Sequence, residues 1–230
     1  MADDPTLSRL HHALIRGLID RGACPANLEL ASALGLTESE LEGQLRDLAD
    51  IHGIVLDPRA CEPWIVHPFS LTPTIHWIEG ASHSWWAPCV WCALGVASVA
   101  GGDLRIHTRF GAEAETLVID VAYGRLKAGP EVWVHFAIPP ARAWDNVHRH
   151  CSLVLPFHSA AEIQDWCGRH GVAFGEAVPL DRVAHLARVW YGAYGDPGWK
   201  KWTVAEARKI FTRVGLVSDF WRLEQRAGNF

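Results

Sequence analysis

Residues 28–57 read LELASALGLTESELEGQLRDLADIHGIVLD, and this stretch decides how the first part of the chain folds. Asn27–Leu34 is predicted as a short helix, because Gly35 supplies the left-handed residue that closes helices. Thr37-Glu38-Ser39-Glu40 is a capping box in which the threonine and the second glutamate each serve the other's backbone N–H. A longer helix with Leu41, Leu45, Leu48 and Ile51 on one face follows, stopped by Gly53, and the stretch closes on a strand. Upstream, Leu10, Leu14, Ile15 and Leu18 add an apolar stripe at helical spacing. The order of short helix, turn, longer helix and strand is that of a winged helix-turn-helix. The helix that would enter DNA carries Glu38, Glu40, Glu42, Asp47 and Asp50 against one arginine, Arg46, a charge that repels phosphate. A structural or substrate-covering role is expected instead.

Beyond about residue 64 the texture changes. Ile75–Ile78, Leu104–Thr108, Thr116–Val121 and Glu131–Ile138 are short β-like runs separated by glycine and proline, which predicts a mixed or antiparallel sheet. Ser159-Ala-Ala-Glu162 and Thr203-Val-Ala-Glu206 are two further capping boxes, and a helix is predicted from about Asp181 to Tyr194. The fold class is therefore α+β, with a winged-helix-like segment at 1–63 and an α+β domain at 64–230.

Composition bounds the function. The chain has 230 residues, 49% hydrophobic and 20% charged, so it can bury a substantial core. Lys+Arg 21 against Asp+Glu 26 leaves a net charge of −5, which argues against a nucleic-acid or anionic-membrane partner. No apolar run is long enough to span a bilayer and the start, MADDPTLSRLHH, is acidic, so a cytoplasmic location is expected. The oligomeric state is left open. Six cysteines are too sparse for a disulfide scaffold, leaving packing, metal-binding or catalytic roles.

The densest chemistry lies in Trp86-Ala-Pro-Cys89-Val-Trp-Cys92-Ala-Leu-Gly95 and in His148-Arg-His150-Cys151. A helix predicted over Trp91–Ala100 puts Cys92 in its first turn, where free N–H groups and the helix dipole favour a thiolate. Cys151 has His148 and His150 as potential proton partners. Cys24, Cys61 and Cys167 read as packing residues. Lys200-Lys201, between Trp199 and Trp202, reads as a solvated turn ahead of the Thr203 box. The Cys89-x-x-Cys92 spacing, with His150 and Cys151, also suits zinc or a soft metal. A cysteine hydrolase using Cys151 and a histidine is a weaker third reading.

The run Trp91-Cys92-Ala93-Leu94, a β-rich middle, and Cys151 shortly before Ser159, Ala161, Glu162 and Trp166 resemble the bacterial organomercurial (alkylmercury) lyases. The resemblance implies protonolysis of a carbon–mercury bond in a small-molecule substrate, with Cys92 and Cys151 as catalytic thiols and mercury ligands. Cys89 is a possible further ligand, and Trp91, Gly95 and His150 would line the substrate pocket. No cofactor is implied, because Hg(II) is the product held on sulfur. The family's proton-moving aspartate falls at Gly95, a glycine inside a helix that suggests a need for space. Glu79, Asp103 and His150 are alternative proton groups, and a family member repurposed for another substrate is the alternative function. A further family thiol falls at Phe110.

Overall fold

The structure, a computed structural model, describes residues 5–129, 131–224 and 230, so the first four residues of the acidic start lie outside it. The capping signals place the N-terminal helices where the sequence put them: α1 spans Pro5–Arg21, α2 Asn27–Leu34 and α3 Glu38–Asp50. Gly35 closes α2 at φ 69°. At α3 the Thr37 hydroxyl accepts from the Glu40 N–H at 3.3 Å while the Glu40 carboxylate accepts from the Thr37 N–H at 2.8 Å. Leu10, Leu14, Leu41, Leu45 and Leu48 are buried where these helices meet. Each contributes about 1.5–3 kcal/mol of apolar burial.

After α3 the chain enters an antiparallel sheet formed by β1 (Val55–Leu56), β2 (Pro63–Val66), β3 (Phe69–Ser70), β4 (His76–Glu79), β5 (Ser84–Ala87), β6 (Asp103–Arg109), β7 (Thr116–Ala122) and β8 (Arg125–Leu126). The strand order is β1-β2-β3-β5-β4-β6-β7-β8. The ribbon that follows α3 is thus joined through β3 and β5 to the large sheet. Along β6 and β7 burial alternates, with Leu104, Ile106, Ile119 and Val121 turned inward and Arg105 and Asp120 outward. This is the signature of a sheet with one wet face.

On the sheet's inner face lies α4 (Val90–Ala100), buried throughout from Val90 to Ala97. A helix apolar on every side belongs in an interior. It packs chiefly on α7 (Leu180–Tyr191) and on the inner strands. A smaller antiparallel sheet, ordered β10-β9-β11, is built from β9 (Trp133–Phe136), β10 (Val154–Phe157) and β11 (Glu176–Pro179). With α6 (Ala160–His170) it encloses a second core of Leu155, Phe157, Ile163, Trp166 and Cys167. Between β9 and β10 sits α5 (Val147–Ser152), and α8 (Val204–Arg213) follows α7. The α+β class is as the sequence indicated. One continuous core runs from Leu10 and Leu45 through Phe69 and Cys92 to Trp190. Among the described residues no helix is long and apolar enough to cross a membrane.

Candidate active site

The site is organised by the first turn of α4. Pro88 ends the β5 pairing, and Cys89 takes the N-cap position, its sulfur accepting the Cys92 N–H at 3.2 Å. The thiol does here what a serine or aspartate does at other helix starts. Cys92 is thereby fixed at the third helical position, with the dipole's positive end behind it. On the far side, the Asn146 side chain accepts from the Arg149 N–H and starts α5, which carries His150 and Cys151 inward. The sulfurs of Cys92 and Cys151 and a ring nitrogen of His67 lie within 4.8 Å of one another. All three residues are buried.

Burial opposes a charge on Cys92, yet hydrogen bonds from the Cys151 and Cys89 thiols, with the Tyr191 hydroxyl 3.5 Å away, hold it well below the ordinary thiol range. The proton stays on the other two thiols: burial pushes Cys89 up, and at Cys151 a hydrogen bond with Cys89 that lowers the thiol is outweighed by the Cys92 sulfur and by burial, which push it up. Burial lowers His67 and His150 to about 4 each. Near neutrality the cluster therefore holds one thiolate, two thiol donors and neutral imidazoles.

Cys92 and Cys151 open onto a cavity of about 40 Å³, walled by Trp91, Trp144, His150 and Trp190 together with His67 and Lys201. Among the described residues, the buried Trp91 Nε1, His67 Nδ1 and His150 Nδ1 find no hydrogen-bond partner. Such unspent polar capacity around a small apolar space is a mark of a ligand site. A larger depression, about 540 Å³ between β7, β8 and the start of α7, contains neither cysteine nor histidine among its lining residues.

Several expectations are redirected by this geometry. Gly95 does not line the cavity. A Cβ built there would stand 2.4 Å from Tyr191 Cδ2 and 2.9 Å from Pro68 Cβ, so the space left by the glycine is taken by the tyrosine ring. Cys89 lies beneath the pair as the helix cap, outside the cluster of possible ligand atoms; His67, which no motif marked, takes its place there. Glu79 is on the outer face of the sheet, bonded to His107 at 2.9 Å, and Asp103 pairs with Lys127 at 3.4 Å. Among the described residues no aspartate or glutamate lines the cavity.

The reading of Lys201 as a solvated turn residue is overturned. It is 5% exposed and reaches back across the fold to donate to the His52 carbonyl at 2.8 Å. Its ammonium lies 5.0 Å from the Trp144 ring centre. Burial brings its pKa down to about 7, partly offset by the negative Cys92. The clue in the sequence was a lysine between two tryptophans, but periodicity alone could not show which way it points.

The alkylmercury lyase family matches residues 69–192, more than half of the chain and including both site cysteines. The chain belongs to the alkylmercury lyase family. Its fold is also similar to that in a crystal structure of the mercury-bound form of MerB2, with a TM-score of 0.60 at 17% identity over 84% of this chain and 88% of that one. No curated protein matches the chain. Within this family frame, His67 and Lys201 lie outside the matched segment, on either side of it.

Proposed function

We propose that the protein cleaves a carbon–mercury bond by protonolysis, with Cys92 and Cys151 as the working thiols. The observation that carries this reading is the pair of sulfurs within 4.8 Å, facing one cavity from two different helices. Hg(II) is a soft cation, and thiolate is the softest protein ligand. The Cys92 thiolate captures the mercury of an organomercurial, and Cys151 then bonds the same atom. Two sulfur donors push electron density onto the metal and weaken its remaining bond to carbon. The hydrocarbon leaves after gaining a proton, and Hg(II) stays on the two sulfurs. His67 is placed to steady the metal from a third side.

The small cavity supports a substrate with a compact organic group, and its tryptophan walls exclude water from the reacting bond. Six free cysteines favour a reducing, cytoplasmic setting. The helices α1 to α3 serve in this reading as a cover, contributing His11 and, just after α3, His52 to the surroundings of Lys201.

The test is headspace gas chromatography of hydrocarbon released from a small alkyl or aryl mercurial in the presence of excess thiol. Release by the wild type that vanishes in Cys92→Ser and Cys151→Ser is the expected result. Tight mercury capture without hydrocarbon would instead identify a soft-metal-binding protein.

A further inference from the structure

The family's carboxylate position is Gly95, and among the described residues no aspartate or glutamate side chain lines the cavity, so no acidic side chain is at hand to supply the proton for the departing carbon. The cavity does contain a buried cation. Lys201 has three N–H donors, of which one is spent on the His52 carbonyl, and among the described residues no carboxylate is paired with it. A buried ammonium with no carboxylate beside it is costly to stability and is seldom found without a use.

The groups facing it come from every packed element: His11 from α1, His52 after α3, His67 between β2 and β3, Cys92 from α4, His150 and Cys151 from α5, Tyr191 from the end of α7 and Tyr194 just beyond it. Burial keeps His11, His67 and His150 neutral at pH 7 and keeps both tyrosines protonated. Cys92 is the one anion among them. His150 is a poor donor because its imidazole is seldom protonated there, and Tyr191 is tied to the Cys92 sulfur.

We propose that Lys201 is a catalytic residue of this reaction, giving a proton from its ammonium to the carbon that leaves mercury and taking one from the Cys151 thiol. This rests on the lyase reading above. The balance closes. The organomercury cation meets the Cys92 thiolate and forms a neutral sulfur–mercury bond. As the Cys151 sulfur bonds mercury, the Lys201 ammonium gives its proton to the carbon–mercury bonding pair, and the neutral amine so formed takes the proton of the Cys151 thiol. The products are the hydrocarbon and a neutral mercury bis-thiolate, with Lys201 again an ammonium.

The role differs from charge alone, and two variants separate them. Lys201→Met removes the proton and the charge, whereas Lys201→Arg keeps the charge but binds its proton too tightly to relay it. Mercury capture is read with HgCl2 by the ultraviolet absorbance of the thiolate–mercury bond, and single-turnover hydrocarbon release is read on the same samples. Release is expected to fall about 10²–10⁴-fold in both variants, the usual worth of a placed acid–base group, while capture stays stoichiometric. In the wild type kcat/KM should decline as pH rises through about 7, where the ammonium loses its proton, and Lys201→Arg should lack that decline. Release by Lys201→Met within about threefold of wild type, or full rescue by arginine, would overturn the proposal. Absence of release from the wild type itself, with capture intact, would remove the lyase reading and this role with it. If Lys201→Met fails to fold, the arginine variant and the wild-type profile decide the matter.

Discussion

Two places in this molecule bring a buried cysteine against a buried histidine, and they are built to opposite ends. In the second core, the Cys167 sulfur lies 3.7 Å from His135 Nε2. That imidazole nitrogen also faces the Phe174 carbonyl at 2.7 Å, and the Cys167 thiol donates to the Ala173 carbonyl at 3.6 Å. Cys167 stands in the last turn of α6, where the dipole's negative end opposes a thiolate, and burial pushes its thiol up. Cys92 stands in the first turn of α4, with a capping sulfur below it, a second thiol and a tyrosine hydroxyl beside it, and a cavity in front. A cysteine–histidine contact is therefore no site in itself. The position along the helix, the supply of donors and the open volume separate a reactive thiol from a packed one.

The sharpest way to break this contrast is to remove one thiol from each place. Cys92→Ser or Cys151→Ser should lower hydrocarbon release by about 10³-fold or more, the scale of losing a group bonded to the reacting atom, and Cys167→Ser should leave it unchanged. Equal losses at all three would erase the distinction.

A second test concerns the glycine. Because Tyr191 occupies the space beside Gly95, Gly95→Ala should cost about 1–3 kcal/mol in denaturant unfolding, as overpacked cores do. Gly95→Asp should cost more and give no gain in rate, since its carboxylate would enter a filled core. A faster Gly95→Asp enzyme would show that the tyrosine yields and that the family's carboxylate can act here after all.

The smallest effect expected is in labelling. Alkylation of Cys92 by a small reagent, followed by peptide mapping across pH, should reach its midpoint below the free-thiol value of about 8.5. Cys24, pushed to about 11 by burial, should stay unmodified at neutral pH. Coincident midpoints would remove the case for a tuned thiol.

Much of this was legible in the sequence, and for identifiable reasons. The Thr37 and Thr203 capping boxes and the Gly35 stop act within four residues, so local chemistry located α2, α3 and α8. At Ser159 only half the box forms: its hydroxyl caps Glu162, whose carboxylate bonds the His158 N–H instead. β6 and β7 were legible as β-like runs set off by glycine and proline, while β5 (Ser84–Ala87), with adjacent Trp85 and Trp86 running straight into Pro88 and Cys89, carried no such signal. Cys92 and Cys151 stood out because of their company. His67 and Lys201 did not, because each reaches the cavity through contacts across the fold, 149 residues apart in the bond from Lys201 to His52. Burial of that kind belongs to topology, and no local pattern encodes it.

The central claim is that Cys92 and Cys151 hold one mercury atom between them. X-ray absorption at the mercury edge, on protein loaded with one equivalent of Hg(II), tests this most directly. The account predicts two sulfur neighbours at about 2.3 Å, close to the usual metal–thiolate distance, unchanged in Cys167→Ser and reduced to one sulfur in Cys151→Ser. Two-sulfur coordination that survives Cys151→Ser, or disappears in Cys167→Ser, would contradict it.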